Sequence, residues 1–274
     1  MVSVLMTAYN REKYIGEAIN SVLASTYTNL ELIIVDDGSK DKTVEIAGSF
    51  AKQDERVKVY VNEKNLGDYP NRNQAAAYAK GKYLKYVDAD DYIYPWGLHT
   101  LVNCMEQFPG AGYGLCSLEQ DRARPFPFEL TPREAYRYNY FGPGLFHKAP
   151  LSSIISVTAF QAVGGFGAIR MAGDCDMWHR LSAKYPVVLM PHGVVWYREH
   201  ENQEMNDYRK YMKIYDEVRC RALNDSLCPL TADEINALKQ KMKKRYSRQA
   251  IKSLVKLKIS NATEYWKLRD SYSK

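Results

Sequence analysis

The chain of 274 residues is 46% hydrophobic and 26% charged, the balance of a soluble globular protein with room for one large α/β domain or a domain with an appendage. A net charge of +6 suits an anionic substrate or a membrane surface and does not call for nucleic acid. Five cysteines (Cys104, Cys116, Cys175, Cys220, Cys228) stand apart without CxxC spacing, which argues against a zinc site or disulfide framework and makes a reducing cytoplasm the expected setting.

In chain order, "VSVLMTAYN" (Val2 to Asn10) reads as a strand breaking into a polar loop, with no basic leader before it. Tyr14 to Ala24 places Ile15, Ala18, Ile19 and Val22 on one helical face. "LELIIV" is a second strand, Thr43 to Lys52 a second helix and Arg56 to Asn62 a third, alternating strand. "NLGDYPNRNQAAAYAKG" gives a loop and an Ala-rich helix ending at Gly81, and "KYLKYVDADD" a strand that ends in acids. This β-α-β-α order predicts a parallel sheet with helices on both faces. A helix over Trp96 to Gln107 leads to another strand in "GAGYGLCSLEQ". Arg122 to Pro150, rich in Pro, Arg and aromatics, has no period and reads as a lid or acceptor loop. "TAFQAVGGFG" is a short helix stopped by glycines, "GDCDMWHRLSAKY" a helix opened by acids, and "PVVLMP" and "VVWYREH" are strands. From Gln203 onward the chain reads as helical and basic, and no apolar run reaches membrane-span length.

Ligands of open parallel sheets sit outside the carboxyl ends of the strands, at the switch point in strand order. Thr7 to Asn10, Asp36-Asp37 and Asp88 to Asp91 all reach that edge. Taken alone, Asp36-Asp37 reads equally as a turn or as ligand contacts. Clustered carboxylates repel phosphate unless a divalent cation lies between, so Asp88-x-Asp90 suggests Mg²⁺ or Mn²⁺ bridging to a diphosphate. "TAYNREKYIGE" lacks G-x-G-x-x-G, and no Walker A pattern occurs, which argues against dinucleotide oxidoreductases and P-loop enzymes.

From Val2 to about His200 the motifs "VSVLMTAYN", "LELIIVDDGSKDKT" and "NLGDYPNRNQAAAYAKGKYLKYVDADD" resemble the family-2 nucleotide-sugar glycosyltransferases. The resemblance implies the α/β GT-A fold, a Rossmann-like sheet flanked by helices, and an inverting, metal-dependent transfer of a sugar. It implies a catalytic domain over 1–202 (nucleotide-binding half 1–94, acceptor half 95–202), leaving 203–274 as a helical extension. The implied donor is a nucleotide-sugar, UDP-linked for preference, and the acceptor a saccharide or lipid-linked saccharide in bacterial surface polysaccharide synthesis. Thr7, Tyr9 and Asp37 match residues that hold the base, with Tyr9 stacked on it and Asp37 accepting an imide N–H. Arg72 matches an arginine that reaches the nucleotide, Asp88 lies nearer the ribose, and Asp90 lies on the metal. Asp174 matches the general base, although Gly173-Asp174 stands where family members often have Glu-Asp. Asp174 also reads as a helix N-cap, and Asp176 points elsewhere. His200 of "WYREH" reads either as a metal ligand or as a surface histidine. Gly164-Gly165-Phe166 resembles a glycine turn near the acceptor, and Trp178 reads as a sugar platform or as core.

The C-terminal helices surround an apolar stripe (Ile251, Leu254, Val255, Leu257) with lysine and arginine. They read as a hairpin packed on the catalytic domain, or as peripheral attachment to the inner face of the membrane. A sugar-nucleotide nucleotidyltransferase and a non-catalytic nucleotide-sugar binder are the rival functions. The first usually needs a Gly-rich loop that "TAYNREKY" lacks, and the second has no use for a base.

Overall fold

Four apolar runs form the parallel half of an eight-stranded sheet. β1 (Val2–Ala8) lies between β2 (Leu30–Asp36) and β4 (Tyr83–Tyr86), parallel to both, and β3 (Val57–Val61) flanks β2. The structure, a computed structural model, describes residues 1–200 and 211–273. Crossover helices α1 (Ile15–Leu23), α2 (Thr43–Ala51) and α3 (Asp68–Ala77) connect these strands, as the periodicity predicts. Strand alternation divides the core between two faces. Leu5, Ile33, Leu84 and Tyr86 face one layer, and Val4, Met6, Leu32 and Ile34 the other. Each such side chain contributes about 1.5–3 kcal/mol on burial.

Beyond β4 the expected all-parallel sheet becomes mixed. β5 (Tyr92–Ile93) leaves the main sheet, α4 (Gly97–Glu106) crosses, and β6 (Tyr113–Leu115) returns. β8 (Ser153–Ser156) enters between β4 and β6, antiparallel to both. β9 (Val187–Leu189) runs parallel to β6, and β7 (Phe128–Leu130) closes the edge antiparallel to β9. The strand order is therefore β3-β2-β1-β4-β8-β6-β9-β7. "VVWYREH" yields only β10 (Val195–Trp196), which pairs with β5 in a separate ribbon.

The Arg122–Pro150 segment is not the structureless loop expected of it. It contains β7 and α5 (Pro132–Phe141), whose Thr131 and Glu134 bond reciprocally in a capping box. α6 (Val157–Ala162) and α7 (Gly173–Lys184) follow, with Gly164 and Gly165 between them at φ of 77° and 70°. Trp178 is fully buried, stacks on Tyr113 and donates its indole N–H to the Lys148 carbonyl, so it is core and not a sugar platform.

The C-terminal region comprises α8 (Met212–Asn224), α9 (Ala232–Val255) and α10 (Ile259–Ser271); the expected helix at 203–210 and the 202/203 boundary lie outside the described residues. Leu223, Leu238, Tyr246 and Leu268 belong to the same hydrophobic cluster as the sheet residues Leu5 and Tyr86. Buried Asp216 on α8 accepts the hydroxyls of Tyr246 (α9) and Tyr272 (after α10) and pairs with Arg219, stapling the three helices together. The stripe singled out in the sequence does not make this contact. Ile251, Val255 and Leu257 are 58%, 79% and 87% exposed, while Leu238, Tyr246 and Ala250 form the packed face.

Candidate active site

The switch point falls between β1 and β4, where the chain runs outward in opposite directions, and the expected polar residues gather beyond these strand ends. Thr7 Oγ1 lies 3.5 Å from Asp88 Oδ1. Arg72, buried on α3, grips Asp88 with both guanidinium nitrogens at 2.7 and 2.9 Å and holds Asp68 through Nε at 2.8 Å. Arg72 therefore orients Asp88, and its two acid partners keep it charged despite burial. Tyr9 is 46% exposed just past β1, and its ring stacks on no other ring among the described residues.

The paired acids after β2 divide their work. Asp36 accepts the backbone N–H groups of Gly38 and Ser39 and closes the turn. Asp37 is almost fully buried and accepts from the backbone of Leu66 (2.8 Å) and Gly67 (2.9 Å) and from the Asn62 amide (2.9 Å). The carboxylate thus braces the 62–67 loop, a role its sequence position did not disclose.

Asp90 meets two cationic or basic groups on one oxygen, Arg11 Nε at 2.8 Å and His200 Nε2 at 3.0 Å. His200 stacks on Tyr14, so it belongs to the site and is not a stray surface histidine. The segment carrying it is pinned from below. Asp91 accepts the Arg198 backbone N–H at 3.0 Å, and Arg198 Nε donates to the Asp90 carbonyl at 2.8 Å. Burial, then the nearby Asp88 charge, raises Asp91 to about 8. Arg11 and Arg198 were not singled out from sequence, where the only signal was an arginine beside a quoted motif, and Asp91 was placed at the strand edge without a role. Two carboxylates and an imidazole suit Mn²⁺ or Mg²⁺ by donor chemistry. Among the described residues, however, no group of three His, Cys, Asp or Glu is arranged to hold a metal, and Asp88 is engaged by Arg72.

Asp174 stands in the first turn of α7, where Ala172 is the N-cap and makes no side-chain cap bond. Asp174 is therefore inside the helix and not the cap expected of it. Its Oδ1 accepts the Cys175 N–H at 2.6 Å, and the Tyr69 side chain of α3 lies near it. Burial raises its carboxyl to about 6, against the lowering effects of the Cys175 N–H and Arg72. Gly173 has a packing reason to lack a side chain, since a Cβ there would lie 2.6 Å from the Tyr69 ring. Asp176 turns away and is locked between Arg180 and Arg221, which removes it as an alternative base.

The Glycosyl transferase family 2 profile matches residues 3–164, more than half of the sequence. The chain belongs to glycosyl transferase family 2. A Haemophilus influenzae uncharacterized glycosyltransferase is 35% identical over 128 residues, covering 45% of this chain and 51% of that protein. The Rickettsia conorii uncharacterized glycosyltransferase RC0461 is 39% identical over 186 residues, covering 67% of this chain and 30% of the relative. The family-2 chain thus spans about half or less of the length of these curated relatives. Among solved structures, S. aureus TarS 1-349 in complex with UDP-GlcNAc superposes with a TM-score of 0.64 at 19% identity, covering 99% of this chain and 91% of that one. Glucosyl-3-phosphoglycerate synthase from Mycobacterium tuberculosis, with Mn²⁺ and UDP, gives 0.58 at 17% identity, covering 84% and 81%. At these identities the likeness establishes the fold, GT-A, which is the α/β architecture the motifs imply.

Proposed function

We propose that the chain transfers a sugar from a nucleotide-sugar, with UDP as the preferred nucleotide, to a hydroxyl of a saccharide or lipid-linked saccharide, inverting the anomeric centre. The observation that carries this reading is the short relay from donor to acceptor side: Asp88 is gripped by Arg72, which lies beside Tyr69 and Asp174. A carboxyl poised near pH 6 is deprotonated at neutral pH and still basic enough to take an acceptor proton. In one in-line displacement the acceptor oxygen bonds to the anomeric carbon as the bond to the diphosphate breaks, and the proton passes to Asp174. A single displacement inverts.

On this reading 1–94 binds the donor and 95–202 the acceptor. Tyr9 offers its open face to the base, Thr7 and Asp37 line the base pocket, and Asp88, set by Arg72, faces the ribose. Asp90 and His200 would hold a divalent cation, whose chemistry there is to offset the charge on the departing diphosphate. Arg11, which already touches Asp90, is placed to add positive charge. UDP-GlcNAc and UDP with Mn²⁺ in the two structural relatives support the donor and metal assignments by likeness. Bacterial surface polysaccharide synthesis at the inner face of the membrane is the proposed setting; no described helix is long and apolar enough to cross a membrane.

The nucleotidyltransferase reading finds no support in the 9–12 loop, which hydrogen bonds from Asn10, Arg11 and Glu12 fasten to residues 39–43. The test is to incubate the chain with UDP-sugars, with and without Mn²⁺, and follow UDP release. Release that depends on Mn²⁺ and is lost in Asp174→Asn supports the transferase. Binding of UDP-sugar with no turnover toward any acceptor or water would leave a binder.

A further inference from the structure

Three carboxylates, Asp88, Asp90 and Asp91, follow β4 within four residues, and charges of one sign that close together repel. Each is answered by a partner. Arg72 grips Asp88, the Arg198 backbone N–H meets Asp91, and Arg11 and His200 share Asp90. These partners differ in how firmly they are set. Arg72 is buried and holds Asp88 with two nitrogens. The Arg11 side chain is 31% exposed and reaches Asp90 through Nε alone.

Asp90 Oδ2 accepts both contacts, from Arg11 Nε at 2.8 Å and from His200 Nε2 at 3.0 Å, so its two lone pairs are already engaged. The same His200 nitrogen cannot donate to Asp90 and offer a lone pair to a metal at once. A divalent cation on this carboxylate also lies within a few Å of the guanidinium, and charges of one sign at that range repel strongly. Arg11 and a metal are therefore rivals for Asp90.

Arg11 stays anchored without Asp90. Its Nη1 donates to the Tyr9 and Asn10 carbonyls at 3.1 and 3.2 Å, and its backbone N–H to Thr43 Oγ1 at 2.7 Å. Its Nη2 makes no hydrogen bond among the described residues. The guanidinium thus bridges the loop that carries Tyr9 and the acid proposed for the metal, with a donor to spare. A diphosphate running between base and metal passes this position.

We propose that Arg11 is an exchangeable counter-ion. Without a divalent cation it neutralises Asp90; when a cation takes Asp90 and His200, Arg11 is released to the donor diphosphate. The proposal rests on the transferase reading and adds a coupling between its metal and nucleotide sites. Loss of the Arg11 charge then has two effects of opposite sign, easier metal entry and weaker diphosphate binding. A residue that only supported the loop would weaken both.

Mn²⁺ binding to the full chain is measured without nucleotide by electron paramagnetic resonance, and UDP binding at saturating Mn²⁺ by calorimetry. Arg11→Met keeps the apolar stem and loses the charge. It should bind Mn²⁺ about 5–20-fold more tightly and UDP about 5–20-fold more weakly, the range of one partly exposed charge-assisted contact. Arg11→Lys, which keeps the charge without the planar fork, should lie closer to wild type in both constants. Lys13→Met removes an exposed cation two residues away and should change neither. Weaker binding of both ligands in Arg11→Met, or an unchanged Mn²⁺ affinity, would overturn the exchange. Matching effects in Lys13→Met would reduce it to bulk charge and overturn it too. UDP binding with no Mn²⁺ binding in wild type or variant would sink the exchange alone, whereas a wild-type chain that binds no UDP would sink the transferase reading beneath it.

Discussion

Asp174 combines two demands that pull against each other. Its proposed task requires the charged form, and its burial disfavours that form. Asp174→Asn should lower turnover by about 10²–10⁴ while donor affinity holds, because the lost proton transfer belongs to the transition state. Near-normal turnover would place the base elsewhere, and Asp176 is excluded by its two arginines. The pH profile of kcat/KM in the wild type should fall on the acid side through about 6, where the carboxyl takes up a proton. Stability moves the other way. A carboxyl raised on folding contributes most below its unfolded value, and that contribution is lost as pH rises through about 6. Asp174→Asn should therefore melt higher than wild type at pH 7, a comparison that thermal unfolding at pH 4 and 7 settles. Asp90 carries the metal prediction. Asp90→Asn should bind UDP with no enhancement by Mn²⁺, measured by calorimetry, and wild-type activity surviving full chelation would shift the task to Arg11. Much of this site was legible because its residues sit in short motifs. Its partners were not: Arg11 and Asp90 meet across 79 positions, and Arg198 and Asp91 across 107.

At the scale of elements, the motifs read best where an apolar run is long enough to declare its period. β1, β2 and the helix between them follow the pattern of the sequence. β6, β7 and β9 have three residues each, too few for any period to emerge, and their pairing depends on partners far along the chain. The antiparallel entry of β8 was invisible for the same reason. α5 was legible in principle, since "TPRE" spells a capping box with proline in the first turn, but its aromatic composition hid it. The β2–α2 loop supplies the test at this scale. Because Asp37 braces the 62–67 loop, Asp37→Ala should weaken UDP binding by about 1–3 kcal/mol and lower the melting temperature together. Unchanged UDP affinity in a folded variant would remove Asp37 from the base pocket.

Over the whole molecule, the C-terminal helices are tied into the main core, and Asp216 is the tie that can be cut. Removing it leaves Tyr246, Tyr272 and Arg219 without their shared acceptor in a buried setting. Asp216→Ala should destabilise the protein by about 3–5 kcal/mol, the usual result of breaking a buried charged network from one side. Denaturant unfolding checks this, and a loss below 1 kcal/mol, within the range of an exposed pair, would mean that the helices dock independently of it. The helical, basic character of this region was plain in the sequence. Which face packs was not, because Tyr246 and Ala250 look no more apolar than the exposed Val255 and Leu257.

The contact between Gly173 and Tyr69 makes two distant positions a single inheritable unit. A side chain at 173 lands in the Tyr69 ring, and Tyr69 also lies near the proposed base. Installing the glutamate that the family often carries beside its base should therefore be damaging alone and tolerated only after Tyr69 has become smaller. The order of the two changes decides whether a functional intermediate exists. A double-mutant cycle of Gly173→Glu with Tyr69→Ala should show strong positive coupling, on the order of 1–3 kcal/mol in stability. Additive effects would mean that the helix start can shift to make room, and the two sites would then be free to drift apart.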